Sequence, residues 1–543
     1  MSKKLKRRKT DKLFYIIISN IQKFFMNART FIGIMVVLAL AGTCAMGYML
    51  SHSFQDLNWL MIIMILAYLP LFFNNAWMLM HAVYYPFCRP KPFSEVTLDK
   101  IPKTAIIYFI RKESSGLFER LKYSFENNFI PNVDLWIVSG EGEQKYIDYE
   151  WDVIKRLRKV FGEDRVLRMH SDDPKNKKRE MMDIWLDEYV DEYKYFFACD
   201  ADSFLSKNTV LRLVRKAEHP DNKDIGCFQA NTLVASACTY FANNNRRAVA
   251  ILMEFYITVK QAIFKEILSF GHNYLCLTKA AVNLKIPEGM MSHDIWDTVY
   301  LRKRGYKTVF CYDVITYEES PANYIEERRR NIRWMKGDLE SFLILFERNV
   351  CFEMWFQVYF NLHMYISMIA FFIIFNVGIF FTGNSNSWWN ISMVLQYFMG
   401  YGILSIILFH RLIMIKNLRD IKEIFTEIGV STLISLNTML YAIIDLILVM
   451  SNKQKWSLWD PMNKDPREGL SWKAAARCLW PSTVVGLIWL AVLLDKGTLV
   501  IIYWASPILI SFIFAIPISY FTSKEMKIRV AGSSLSIHQG HKQ

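Results

Sequence analysis

Two carboxylates one residue apart, Asp200 and Asp202, directly follow the short apolar run 195–199. Carboxylates spaced in this way at the end of a strand can share a hard divalent cation, Mg²⁺ or Mn²⁺, and a diphosphate bridged by it. Such a cation would offset the negative charge on a diphosphate that leaves during a transfer reaction. An ordinary acidic turn has the same pattern, so the pair alone leaves both interpretations open.

A single carboxylate, Asp294, lies in the segment Ser292-His293-Asp294. Near a donor it could take the proton from an attacking sugar hydroxyl, which is the role of a general base. Ser292 and Asp294 also precede a predicted helix over 295–304, where both residue types favour the N-terminal cap. The two roles are compatible, because a helix start holds an acid rigidly. We expect His293 to position or pack against its neighbours, and not to bind a metal.

Three further residues, Arg330, Arg333 and Trp334, are spaced to share one face of a helix. Arginines can hold a diphosphate bidentately, and an indole can stack on a pyranose ring. The adjacent Arg328 and Arg329 allow another interpretation, a basic helix beside a membrane. The tryptophan that follows the second arginine favours the binding role.

The segment Gly271-His272-Asn273 predicts a tight polar loop. Its side chains could donate hydrogen bonds to sugar hydroxyls or accept them. A plain turn without a ligand is the alternative.

The composition of the 543-residue chain is unlike that of a soluble protein, with 53% hydrophobic residues, 15% aromatic residues and a mean hydropathy of +0.14. The net charge of +14 indicates cytosolic basic flanks and contact with anionic membrane lipids. No basic stretch is interleaved with aromatics in a known binding pattern, so we expect no nucleic-acid partner. The nine cysteines form no Cys-x-x-Cys pair, which fits free thiols in a reducing cytosol.

Apolar runs long enough to cross a membrane flank the polar middle of the chain. We expect six spans, with both termini and every basic cluster in the cytosol; they cover 31–50, 59–80, 359–381, 391–409, 480–494 and 499–521. A further run, 430–450, is hydrophobic enough to cross, but crossing would place the basic loop 451–479 outside. Asn437 and Asp445 within it would also be costly in lipid. We therefore expect 430–450 to be interfacial or re-entrant.

Composition divides the chain into a basic cytosolic arm, a membrane hairpin, a cytosolic domain, a membrane channel and a cytosolic tail. The predicted bounds are 1–30, 31–83, 84–348, 349–523 and 524–543. Within 84–348, the apolar runs 105–109, 135–138 and 195–199 alternate with helical stretches and predict buried strands of a mostly parallel sheet. This α/β order is typical of nucleotide-binding domains with ligands at the carboxyl ends of the strands. The loop 451–479 could close over a donor pocket or anchor at the membrane surface.

Taken together, these strings resemble the membrane-integrated, processive family 2 glycosyltransferases, such as cellulose and hyaluronan synthases. The resemblance is greatest to the branch that makes osmoregulated periplasmic glucans. It extends over about 104–523 and rests on several matches in fixed order: 200–203, 271–273, 292–294, 317–323, 330–334, 471–475 and 516–519.

The resemblance implies a GT-A glycosyltransferase domain inserted between transmembrane helices. It also implies inverting transfer from UDP-glucose, a divalent metal, a nascent polysaccharide acceptor and export of a β-glucan across a bacterial inner membrane. Asp294 would be the base, and Arg330, Arg333 and Trp334 would line the place where the pyrophosphate meets the acceptor.

The departures from the family pattern fall in the half that binds the donor nucleotide. Glu113, Glu141 and Lys177 are the nearest matches to the family's nucleotide-contacting positions, in segments that otherwise differ from it. Two other functions therefore stay open. One is a single-addition transferase that acts on a membrane lipid, and the other is a catalytically weak membrane sensor that binds a nucleotide sugar.

Overall fold

The computed structural model divides into two compact units. One comprises Met1–Pro90, Thr258–Lys265 and Ile366–Met414, and the other comprises Lys91–Ile257, Glu266–Tyr365 and Ile415–Gln543. The structure describes residues 26–53, 58–88, 90–113, 115–140, 142–171, 178–235, 239–284, 286–287, 290–381, 411, 418–451, 469–496 and 499–526.

Helices and strands alternate through the middle of the chain, while its described ends are helical. The α-helices are α1 (Ala28–Ser53), α2 (Asn58–Tyr84), α3 (Leu117–Glu126), α4 (Gln144–Phe161), α5 (Lys178–Tyr189), α6 (Thr209–Ala217), α7 (Tyr240–Ile251), α8 (Thr258–Phe264), α9 (Thr278–Ala281), α10 (His293–Lys303), α11 (Tyr324–Glu340), α12 (Phe352–Phe381), α13 (Leu418–Met450), α14 (Trp472–Asp495), α15 (Leu499–Ile513) and α16 (Ala515–Thr522). The strands are β1 (Thr104–Ile110), β2 (Val133–Gly140), β3 (Val166–Ser171), β4 (Tyr195–Asp200), β5 (Phe204–Leu205), β6 (Ile225–Val234), β7 (Tyr274–Leu277) and β8 (Lys307–Glu318). A π-helix, Leu252–Ile257, follows α7 directly.

In the first unit, α1 and α2 pack closely because small residues face large ones. A Cβ atom at Gly42 would lie 2.5 Å from the Phe72 ring, so only glycine permits this approach. Phe31 anchors the other end of the pair, with its ring centroid 5.7 Å from that of Trp77 and 5.0 Å from that of Tyr84.

The second unit contains an eight-stranded sheet of order β3-β2-β1-β4-β7-β6-β8-β5. Strands β3, β2, β1 and β4 run parallel, whereas β7 is antiparallel to both of its neighbours. The α/β class that the sequence predicts is confirmed, with the difference that the sheet is mixed. The three predicted apolar runs form β1, β2 and β4.

Both faces of β1 are buried, which explains why its sequence is continuously apolar. Ile106 and Tyr108 point into one core and Ala105 and Ile107 into the other, as the two-residue period of a strand requires. Since β1 and β4 are parallel and Phe109 pairs with Asp200, their carboxyl ends meet at one edge of the sheet.

Five described helices are long and apolar enough to cross a membrane, and a pair bent by 71° at 505–522 could supply a sixth. The qualifying segments are Ala28–Tyr48, Met61–Phe87, Phe352–Phe380, Ile421–Met450 and Trp472–Asp495. The predicted span 391–409 lies outside the described residues. The run predicted to be interfacial is part of α13, which qualifies as a span by length and composition.

The two polar residues that argued against crossing have partners within the second unit. Asn437 Nδ2 donates to the Ser511 carbonyl at 3.1 Å, and Asp445 forms a salt bridge with Arg328. The charge of Asp445 is therefore paired and the amide nitrogen of Asn437 is satisfied. The topology of α13 stays a prediction.

Candidate active site

The Asp-Ala-Asp segment forms a tight turn at the carboxyl end of β4. The Asp200 amide donates to Ser203 Oγ at 3.2 Å, and the Ser203 amide donates back to the Asp200 carbonyl at 3.0 Å. From the neighbouring helix α3, Arg120 Nε donates to the Ala201 carbonyl at 2.8 Å. These three hydrogen bonds hold the turn without using the carboxylate groups of Asp200 and Asp202.

Lys178, at the start of α5, joins this turn to the Gly-His-Asn loop. Its ammonium group contacts Asp200 Oδ1 and donates to the Gly271 carbonyl at 2.7 Å. The sequence predicts Lys177 for the donor-binding role, but Lys177 lies outside the described residues. Lys178 is the next residue along the chain, and its proximity to Asp200 could not be predicted from spacing alone.

The Gly-His-Asn loop brings Asp294 to the same place. Gly271 adopts a φ of +81°, and a Cβ atom there would lie 3.3 to 3.5 Å from Asp294 Cβ, Cγ and Oδ2. The Asn273 amide donates to the Ala198 carbonyl at 2.6 Å, so the loop is bound to β4 two residues before Asp200. The side-chain nitrogen and oxygen of Asn273 are buried without a hydrogen-bond partner in the described structure. Asp200, Gly271 and Asp294, predicted separately, are therefore brought together.

Asp294 lies in the first turn of α10, with Ser292 at the cap position. Burial raises the pKa of Asp294, whereas the charge of His293 lowers it; the net direction is upward. A carboxylate with a raised pKa is a stronger base than an ordinary aspartate.

His293 packs and positions, as the sequence predicts, within a buried network behind Asp294. Its Nδ1 lies 2.9 Å from Asp297 Oδ2, and Asp297 also contacts Arg179 of α5. Burial would raise the pKa of Asp297, but Arg179 and His293 hold it below its ordinary value. The network therefore links α10, which carries Asp294, to Arg179, the residue next to Lys178.

His272 lies between Asp200 and Glu318, and Glu318 is the last residue of β8. Its Nε2 is 2.8 Å from Glu318 Oε2, and its Nδ1 is 3.9 Å from Asp200 Oδ2. Burial would lower the pKa of His272, but the hydrogen bond to Glu318 and the charges of Asp200 and Glu318 raise it to about 9. His272 is therefore a cation at neutral pH, and Glu318 is a site residue that the sequence did not single out.

Helix α11 carries Arg330, Arg333 and Trp334, and Asn323 caps its start by accepting from two backbone amides. Arg330 pairs with Glu327 at 2.8 Å, and its guanidinium lies 4.6 Å from the Trp334 ring. Arg333 makes no salt bridge to any described residue, and burial lowers its pKa although the charge of Asp200 opposes this. Trp334 is 53% exposed.

Helix α11 contacts the start of the Asp294 helix at Gly337. A Cβ atom on Gly337 would lie 2.0 Å from Ser292 Oγ and 3.1 Å from the Ser292 nitrogen, so any side chain there would displace one helix. Met291 N also donates to Glu340 Oε2 at 2.5 Å. Helix α11 is thus in direct contact with Met291 and Ser292, which precede the predicted base.

The remaining predicted residues concern the donor nucleotide. Glu113 Oε2 accepts from Arg120 at 2.7 Å, next to the Asp-Ala-Asp turn. Glu141 lies outside the described residues.

The described residues contain no group of three or more histidine, cysteine or acidic side chains that could hold a metal ion. They nevertheless fit a metal shared with a ligand, because Mg²⁺ is usually bound by one or two carboxylates plus substrate phosphates. The Lys178 ammonium group on Asp200 shows that this carboxylate accommodates a cation. Asp200 and Asp202 would supply the two carboxylates.

A family model described as "Glycosyl transferase family group 2" matches residues 195–413. This range includes the Asp-Ala-Asp turn, the Gly-His-Asn loop, the Asp294 helix and α11. This match confirms the predicted resemblance to the family 2 glycosyltransferases.

Curated relatives agree with that assignment. The chain is 22% identical over 484 residues to the glucans biosynthesis glucosyltransferase H of Pseudomonas entomophila (strain L48), covering 78% of this chain and 54% of that protein. It is 24% identical over 266 residues to the protein of the same name from Caulobacter vibrioides (strain NA1000 / CB15N), covering 46% of this chain and 40% of that protein. The chain thus spans about half the length of the curated relatives it matches.

Among solved structures, the chain is similar to a mannosyltransferase from Pyrobaculum calidifontis in complex with GDP-Man and Mn²⁺. The TM-score is 0.48 at 11% identity, covering 72% of this chain and 100% of that chain. The family match and the sheet together assign the chain to the glycosyltransferase class with a GT-A α/β domain among apolar helices.

Proposed function

We propose that this protein transfers glucose from UDP-glucose to a growing β-glucan, with inversion at the anomeric carbon. The observation that carries the proposal is the convergence of Asp200, Gly271 and Asp294 around Lys178. These residues come from three separate segments, and the arginine helix contacts the same place through Gly337. The names of the curated relatives support a glucan as the product.

In this mechanism an acceptor hydroxyl gives its proton to the Asp294 carboxylate while its oxygen forms a bond to the anomeric carbon of the donor. The bond between that carbon and the diphosphate oxygen breaks, and its electron pair leaves with the diphosphate. The raised pKa of Asp294 favours the proton transfer. The base and the leaving group act on opposite faces of the sugar, which inverts the anomeric centre.

The negative charge on the diphosphate needs compensation as it leaves. His272 is cationic at neutral pH, and Arg333 offers a guanidinium with no salt bridge to any described residue. A divalent ion held by Asp200 and Asp202 would add positive charge at the same place. Trp334, half exposed beside Arg330, offers a ring on which an acceptor sugar could stack.

Processive synthesis and export are supported by the position of α11. Its N-terminal half packs against the apolar helix α13, so a chain leaving Trp334 would begin beside helices that can span a membrane. We infer that the sheet domain lies in the cytosol, where nucleotide sugars are found, and that the apolar helices contact membrane lipids.

A panel of labelled nucleotide sugars, given to purified protein in vesicles, tests the proposal. Long saccharide made from UDP-glucose and found across the membrane from the donor is the expected result. One hexose fixed on lipid, on the donor side, would instead indicate a single-addition lipid transferase. Tight donor binding without turnover would indicate a sensor.

A further inference from the structure

A buried salt bridge joins the arginine helix α11 to the apolar helix α13 of the same unit. Arg328 Nε lies 3.1 and 3.0 Å from the two carboxylate oxygens of Asp445, and a second guanidinium nitrogen also contacts Asp445 Oδ1. Asp445 belongs to α13 and is 4% exposed. A two-pronged contact of this kind fixes the orientation of both side chains as well as neutralising their charges.

The surroundings of the pair extend the contact to a third helix. The Arg328 guanidinium lies 4.0 Å from the centroid of the Tyr441 ring. The Tyr441 hydroxyl donates to the Cys478 carbonyl of α14 at 2.9 Å and lies 3.3 Å from Ser482 Oγ. Arg328 is therefore set into a junction of α11, α13 and α14.

Stability alone does not account for a charged pair at this junction. Removing two charges from water costs about as much as their attraction returns, so well-packed apolar residues would stabilise the junction as well or better. What the pair adds is a defined orientation. The pair is therefore suited to fixing the orientation of α11 relative to α13.

Two of the contacts that fix the other half of α11 involve Gly337 and Asp338. Gly337 lies against Ser292 with no room for a side chain, and Asp338 accepts a hydrogen bond from the Tyr365 hydroxyl at 2.8 Å. The site residues Arg333 and Trp334 lie between these contacts and the Arg328–Asp445 pair. Loss of the pair would remove the charged contact that orients this half of α11, while the packing of Tyr324 against Tyr441 would remain.

We propose that Asp445 is a positioning residue for sugar transfer: through Arg328 it sets the rotation of α11 and so aligns Arg333 and Trp334 with Asp294. The inference rests on the proposed transferase function, and it makes an apolar helix part of the device that aligns the transfer site. Asp445 itself touches neither substrate nor the reacting atoms.

The kinetic test is Asp445→Asn, which keeps the shape of the side chain and removes its charge. We expect kcat to fall by about 10-fold to 100-fold, the scale of a small misplacement at a reacting centre, while the KM for donor changes less than about threefold. The charge-swapped double variant Arg328→Asp with Asp445→Arg should recover part of the lost kcat. A loss that is purely structural would lower the amount of folded protein without this split.

Two matched controls separate position from charge. Arg329→Ala removes the neighbouring arginine, whose salt bridge at 2.9 Å is to Glu326 of its own helix turn, and should leave kcat unchanged. Asp313 Oδ2 lies 2.9 Å from Nζ of the fully buried Lys216. Asp313→Asn weakens this pair and should lower thermal stability without lowering kcat of the folded enzyme.

Amide hydrogen exchange gives a readout that needs no activity. Asp445→Asn should speed exchange over 324–340 and leave 195–200 unchanged. Unchanged exchange in α11 or an unchanged kcat would overturn the inference. Absence of transfer by the unmodified protein with every donor would overturn the proposed function, and the exchange result would then decide the inference alone.

Discussion

The two sides of the candidate site differ in how their charges are compensated. On the carboxylate side, Asp200 already holds a cation of this chain, Lys178, and lies beside the protonated His272. On the side of α11, Arg330 has an acidic partner in Glu327, whereas Arg333 makes no salt bridge to a described residue. The Asp200 carboxylate is therefore neutralised by cations of the protein itself, whereas Arg333 makes no salt bridge to a described residue. A donor diphosphate with its metal would satisfy both sides at once.

The largest expected effect comes from removing charge on the carboxylate side. Asp200→Asn should lower turnover by roughly 1000-fold, since a metal contributes several kcal/mol to the charge balance of a leaving diphosphate. Initial rates over a Mn²⁺ titration measure this. Asp224→Asn is the control, because Asp224 pairs with Lys307 at 2.7 Å in a different part of the sheet. Undiminished activity of the unmodified enzyme in a chelator would contradict the prediction.

The predicted base lies between the two sides, and its loss should be the next largest effect. Asp294→Asn should slow the chemical step by about 100-fold, the usual scale for a positioned base, with donor binding largely kept. Single-turnover rates and donor binding measured side by side distinguish the roles. Collapse of donor binding with a surviving single-turnover rate would make Asp294 a structural cap.

The arginine side can be tested without removing its charge. Arg333→Lys keeps a cation but loses the planar fork that matches a diphosphate. The KM for donor should rise about 10-fold, because a hydrogen bond to a charged group contributes about 1.5 kcal/mol or more. Arg329→Lys on the same helix should have no effect, and equal effects of both variants would show that only the total charge of α11 matters.

The close approach of α11 to the start of the Asp294 helix depends on Gly337. Ala in place of Gly usually stabilises a helix by up to about 1 kcal/mol, but here a Cβ atom would overlap Ser292. Gly337→Ala should therefore destabilise the protein by about 1–3 kcal/mol. Gly429→Ala is the matched control, since nothing lies within 4 Å of a Cβ atom at that helical glycine. Thermal unfolding of both variants measures the difference, and stabilisation by Gly337→Ala would show that the helices can separate freely.

The smallest expected effect is on pH dependence. Because burial raises the pKa of Asp294, its base form should be lost at a pH above the ordinary aspartate value of about 3.9. Activity should rise with pH through this raised pKa, and the rise should be absent from the residual activity of Asp294→Asn. A pH–rate profile of kcat/KM over the acidic range tests this. An acidic limb at or below the ordinary value would mean that Asp294 is well solvated in the free enzyme, whose ionising groups a kcat/KM profile reports.

The sequence was sufficient to predict three strands of the sheet and the shared face of one helix. Continuous apolar runs bounded by polar residues predict β1, β2 and β4 because strands buried on both faces need apolar side chains at every position. Local spacing likewise predicts the shared helix face of Arg330, Arg333 and Trp334. The bounds of the predicted domains and the crossing of α13 stay predictions.

Only the tertiary structure decided which of these residues meet. Lys178 and Gly271, Glu318 and His272, and Arg328 and Asp445 are contacts between segments far apart in the chain. No local pattern encodes them, because each depends on strand order and helix packing. The same limit explains why Asn437 and Asp445 looked costly in an apolar helix. The sequence shows that burying a charge costs free energy, but the fold decides which partner compensates that charge.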